Sequence, residues 1–172
     1  MLKPKREDTL KFVKENVTPA NMQCVDYEVN LGTNVGGATI IAELWQNGAC
    51  TESLPVVLNS QNSQLQISFL VDGFGTNEGV QGLNIQIGMD DQADSALAFF
   101  ELPSQVIGYS FAAYEDKEII KVHAGEEHIL AAMEFDVGDG VESIDCVSLL
   151  DEPERLTSDS CLLIVRATFT EN

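Results

Sequence analysis

Between Gln64 and Met89 the chain alternates, breaks and alternates again. Leu65, Ile67, Phe69 and Val71 are interleaved with Gln64, Gln66 and Ser68, and Leu83, Ile85, Ile87 and Met89 with Asn84, Gln86 and Gly88. A period of two places each apolar set on one face of an extended chain, so the pattern predicts two half-buried strands, paired antiparallel. The break, Gly73–Gly79, spans seven residues, longer than the ~2–5 residues of most hairpin loops. It contains Phe74, an apolar residue that neither strand claims and hence a candidate for ligand or partner contact.

The same text recurs along the chain. Val25, Tyr27, Val29 and Leu31 alternate, as do Ile40, Ala42 and Leu44. Asn47-Gly48 then marks a two-residue hairpin, because both positions of such a turn require positive φ. Ile129, Ala131, Met133, Phe135 and Val137 form another alternating set. The stretch Cys161–Phe169, apolar on both faces near Leu162–Val165, reads as the centre of a sheet. Ala96–Leu102 is apolar nearly throughout and is expected as a buried strand or a helical turn of core. A further strand is expected at Ser143–Leu149 and a helical turn at Glu152–Leu156. Nine or ten short strands joined by Gly, Asn and Asp turns predict an all-β, antiparallel β-sandwich, Ig-like in the loose architectural sense. Residues 1–20 are read as a basic helix or linker, with a short helix starting at Asp8 or Thr9, and residues 21–172 as a single β-sandwich domain.

Charge narrows the partners. The 172 residues hold 28 acidic and nine basic side chains, a net charge of −19, and Lys3, Lys5, Arg6, Lys11 and Lys14 are five of the nine. A body so acidic repels phosphate backbones and, except at its basic N-terminal end, anionic membrane surfaces, so nucleic-acid binding is not expected. No run reaches the ~18 apolar residues of a membrane span, so direct membrane insertion is not expected either. Residues 1–20 lack the apolar run of a secretion signal, which taken alone favours the cytoplasm. Cys24, Cys50, Cys146 and Cys161 are widely spaced and match no zinc pattern; as two disulfides they allow three connectivities, and as free thiols none.

Catalytic chemistry finds little support. His123 and His128, the two histidines, flank a Gly-Glu-Glu turn with no nucleophile motif nearby. The acidic turns Asp90–Asp94 and Asp136–Gly140 lack the ligand spacing of a calcium loop. No enzyme activity, metal or cofactor is expected. Trp45 and Tyr109, on predicted strands, join Phe74 as candidates for binding a glycan or a protein, since an exposed aromatic ring can stack on a sugar or anchor a partner.

Three passages carry a resemblance: ELWQNG at Glu43–Gly48, ILAAMEFDVGDGVESIDC at Ile129–Cys146, and DEPERLTSDSCLLIVRATFTEN at Asp151–Asn172. Together they resemble extracytoplasmic β domains on membrane proteins of Clostridia-type gut bacteria, some attached to regulatory membrane metallopeptidase-like receptors. The resemblance implies an envelope-exposed sensor or interaction module and assigns no catalytic residues. The expected function is therefore a non-enzymatic, extracytoplasmic binding or sensing module. A carbohydrate-binding module and a cytoplasmic or phage structural assembly protein are the alternatives.

Overall fold

The computed structural model describes residues 8–17, 22–32, 34–58, 62–72, 82–89, 96–102, 108–113, 119–136 and 161–171. Among them are eleven strands and no helix. In chain order these are β1 (Thr9–Val17), β2 (Met22–Asn30), β3 (Val35–Gln46), β4 (Ala49–Leu58), β5 (Asn62–Asp72) and β6 (Gly82–Met89), then β7 (Ala96–Glu101), β8 (Gly108–Ala113), β9 (Ile119–Lys121), β10 (Glu127–Asp136) and β11 (Cys161–Glu171). They form two sheets, ordered β7-β6-β5-β2-β1-β9 and β4-β3-β11-β10-β8, with antiparallel neighbours throughout.

The opening pair behaves as its pattern demands. β5 and β6 pair from Leu65 opposite Met89 to Asp72 opposite Gly82, and Leu65, Ile67, Phe69, Leu83, Ile85 and Ile87 are buried. At the β3–β4 hairpin Asn47 has φ 51° and Gly48 φ 80°, the left-handed backbone that the Asn-Gly pair tolerates. β11 is the middle strand of its sheet, between β3 and β10. The expected Ser143–Leu149 strand, the Glu152–Leu156 turn and both acidic turns rest on side chains outside the described residues.

The N-terminal helix is corrected. Residues 9–17 form β1, hydrogen-bonded between β2 and β9. Leu10 is buried and Phe12 packs on the core, its ring edge-on to Tyr27 at 5.7 Å, whereas Lys11 and Val13 are exposed. That is a period of two, broken by a bulge between Phe12 and Lys14. The Leu10–Val13–Val17 spacing suits a helix, but two neighbouring strands supply backbone partners that an isolated helical turn lacks. Asp8, expected as a helix cap, instead accepts the N–H groups of Gly32 (2.9 Å), Asn34 (3.0 Å) and Val35 (3.3 Å).

The two sheets turn their apolar faces into one core. Tyr27, Val29, Leu65, Ile67 and Phe69 come from one sheet, and Ile40, Leu44, Met133, Phe135, Val165 and Phe169 from the other. Across the gap the Tyr27 hydroxyl donates to the Leu130 carbonyl, and Phe69 meets Phe111 edge-on at 5.7 Å. A bulge between Ile129 and Ala131 breaks the alternation of β10. It puts Leu130 and Ala131 together in the shared core and leaves Ile129 and Ala132 on the other face.

Candidate functional site

Among the described residues, an unusual surface lies on the outer face of the first sheet. Because Leu83, Ile85 and Ile87 point inward, β6 turns Gly82, Asn84 and Gln86 outward. β5 contributes Ser68 and Leu70 to the same face, and the edge strand β7 contributes Leu97 and Phe99. Together these side chains line a shallow concavity of about 360 Å³. Its lining is mainly apolar, with the hydroxyl of Ser68 and the amides of Asn84 and Gln86 set among the apolar side chains. Leu97 is 69% exposed and Phe99 51% exposed, unusual for large apolar side chains standing side by side on one strand.

Gly82 explains how the Phe99 ring lies. A Cβ at that position would sit 1.9 Å from Phe99 Cζ. The ring therefore rests on bare backbone, and Gly82 is buried beneath it. An aromatic ring covering a cross-strand glycine shields a backbone that would otherwise be open to water. Half of Phe99 is nevertheless left to solvent.

The described contacts of the charged side chains lie elsewhere. At the end of β7 the Glu101 N–H donates to the Glu52 carboxylate on β4 at 2.9 Å, tying the two sheet edges together. On the outer face of the second sheet the Arg166 Nε lies 2.6 Å from Glu43, a close ion pair rather than an aligned hydrogen bond, and its Nη1 donates to Glu127 at 2.5 Å. At the β9–β10 turn one carboxylate, Glu126, serves both histidines, 3.7 Å from His123 and 3.3 Å from His128. Among the described residues no group of three or more His, Cys, Asp or Glu is placed to hold a metal ion. Cys24, Cys50 and Cys161 are free thiols. Burial and then the neighbouring Glu43 carboxylate push the Cys50 thiol up from 9.0, and burial pushes the Cys161 thiol up to about 12.

Two of the three residues singled out from the sequence are described, and they lie on opposite faces of the second sheet. Trp45 is half-buried on the outer face of the second sheet, against Ile129, Ala132, Leu162 and Ile164. Its indole N–H is buried with no acceptor among the described residues. Tyr109 packs on the shared core from the edge strand β8, its ring 6.4 Å from that of Phe135. Phe74 lies outside the described residues. Sequence reasoning missed Leu97 and Phe99 because ALAFFE reads as core. The available signal was weak: Leu97, Phe99 and Glu101 share one face, and a charged residue on it marks that face as wet.

The chain was compared with protein-family models, curated proteins and solved structures, and none of them matches. Among the described residues no helix is long and apolar enough to cross a membrane.

Proposed function

We propose that the protein is a β-sandwich, Ig-like in the loose architectural sense, acting as a non-enzymatic binding or sensing module on the outer face of β5, β6 and β7. The pair Leu97 and Phe99 carries this reading. Water-exposed apolar side chains beside a ready-made concavity are what a binding face looks like before it is covered. Covering the two is worth about 1 kcal/mol each, since both are half-exposed at the start. A glycan is the second reading, favoured by Ser68, Asn84 and Gln86, which place neutral hydrogen-bonding groups beside an open aromatic ring.

The test is a paired screen of a glycan array and a displayed peptide library, using the native chain and a Leu97→Ala/Phe99→Ala variant. Binding that the variant loses supports the reading. Binding that survives both substitutions, or no binding in either screen, sinks it.

We place the module outside the cytoplasm of a bacterium, on a membrane protein or lipoprotein. That placement is supported only by the resemblance of Glu43–Gly48, Ile129–Cys146 and Asp151–Asn172, and the cytoplasm is the alternative. Cys50 makes it testable, because its thiol is exposed on β4. A membrane-impermeant maleimide should label it in intact cells. Labelling that requires lysis would put the protein in the cytoplasm.

A further inference from the structure

Sheet edges are where strand proteins risk unwanted pairing, and this protein blunts some of its edges and not others. Four strands stand at edges among the described residues: β7 and β9 in one sheet, β4 and β8 in the other. β9 is three residues long and carries the exposed Lys121. β4 has Pro55 in its middle. The described side chains of β8 are all half-buried. β7 uses none of these devices. It runs six residues, Ala-Leu-Ala-Phe-Phe-Glu, with no proline, no basic residue and no charge before Glu101. It also carries Leu97 and Phe99, two of the most exposed large apolar side chains in the described structure.

The backbone of β7 is oriented to match. The Glu101 N–H points away from β6 and is taken by Glu52. In an antiparallel ladder, inward and outward backbone groups alternate residue by residue. The N–H and C=O groups of Phe99 and Leu97 therefore point away from β6 as well. Among the described residues they form an open row beside two exposed apolar side chains, and the row ends at the carboxylates of Glu52 and Glu101.

Building on the binding role of β7 set out above, we infer that this edge accepts an extended segment of a partner protein as an added strand, and that the segment alternates apolar and basic residues. Main-chain bonds to Leu97 and Phe99 supply the pairing. Apolar side chains of the segment lie against Leu97 and Phe99, and its basic residues, which alternate onto the opposite face, lie on the side of Glu52 on β4 and the acidic body. Charge selects against a second copy of the chain, because two bodies of net charge −19 repel. A sugar would use the concavity and leave the row of backbone groups untouched.

The probe is a set of fluorescein-labelled hexapeptides alternating valine with lysine, with serine or with glutamate. They are titrated into the full chain at low salt, with amide hydrogen exchange followed by NMR. The lysine peptide should bind best, the glutamate peptide at least tenfold more weakly, and the amides of Leu97 and Phe99 should become protected. Leu97→Pro removes one outward N–H at an edge position that tolerates proline, and should weaken the lysine peptide at least tenfold. Leu97→Lys, which leaves the backbone intact, should do the same, so a folding failure of the proline variant does not decide the question.

Peptide binding without protection at Leu97 and Phe99, or binding indifferent to both variants, overturns strand addition. A glycan that perturbs Asn84, Gln86 and Phe99 while no peptide binds also overturns it, and leaves the binding face standing. Sedimentation of the unliganded chain as a dimer, with β7 protected, overturns it in favour of a second copy. If neither peptide nor glycan binds, the inference and the proposed binding face fall together.

Discussion

A single carboxylate at Asp8 holds the entry to β1 and the loop before β3 together. Its side chain is buried, accepts three backbone N–H groups from Gly32, Asn34 and Val35, and its carbonyl accepts the Val122 N–H at 2.9 Å. Asp8→Ala removes the side-chain acceptor and strands those donors. The expected cost is ~1.5–3 kcal/mol in urea unfolding, the range for hydrogen bonds to a charged group. A change under ~0.5 kcal/mol would mean that water replaces the carboxylate. Cys161 gives a pH effect of defined sign. Burial raises its thiol from 9.0 to about 12, so the native state keeps a proton that the unfolded chain releases in this window. Stability conferred by the neutral thiol is present below 9.0 and is lost as pH rises toward 12, with a slope of at most ~1.4 kcal/mol per pH unit. Urea midpoints of the native chain and Cys161→Ala, measured on both sides of pH 9.0, should draw together as pH rises, with the native chain declining more steeply. Parallel declines would show that other groups control the alkaline limb.

At the scale of the strand, Gly82 and Phe99 form one device. Gly82→Ala would place a methyl group in the Phe99 ring, and the ring, being a flexible side chain at an edge, moves rather than the backbone. The expected result is a stability change within about 1 kcal/mol, as alanine suits a strand better than glycine while the ring contact is lost. NMR should record a large shift of the Phe99 ring resonances, and an unmoved ring would contradict the contact. This device also shows where sequence reading stops. β5, β6, the Asn47-Gly48 hairpin and the central place of β11 were legible, because each rests on alternation or turn chemistry within a few residues. β1 was misread because Leu10, Val13 and Val17 fit helical spacing, and the bulge at Phe12 hides the period of two. β7 was read as buried because ALAFFE does not state that it lies at an edge. Edge position comes from the order of strands in space, which no local pattern encodes. Trp45 and Tyr109 were candidates as aromatic types, whereas Phe99 became one only once β6 had placed a glycine under it.

Charge acts on the molecule as a whole. With 28 acidic and nine basic residues, folding gathers like charges into a small volume, and their mutual repulsion opposes the compact state. Arg166 is held between Glu43 and Glu127 on the central strand of its sheet, with about a fifth of its side chain exposed, so salt screens this pair less than the surface charges. Repulsion among surface carboxylates should therefore dominate the response to salt. Raising ionic strength from about 0.01 M to about 0.15 M shortens the screening length from ~30 Å to ~8 Å, enough to uncouple carboxylates on opposite sides of the body. The thermal midpoint should rise over that range. It should rise less in a variant whose exposed acids are neutralised, for example Glu101→Gln with Glu171→Gln. Arg166→Met should lower the midpoint at every salt concentration, by roughly 2 kcal/mol of stability, because it leaves two part-buried carboxylates facing each other. Calorimetry across a salt series decides the matter. A midpoint that falls with salt would mean that paired charges, and not the net charge, set the stability of this fold.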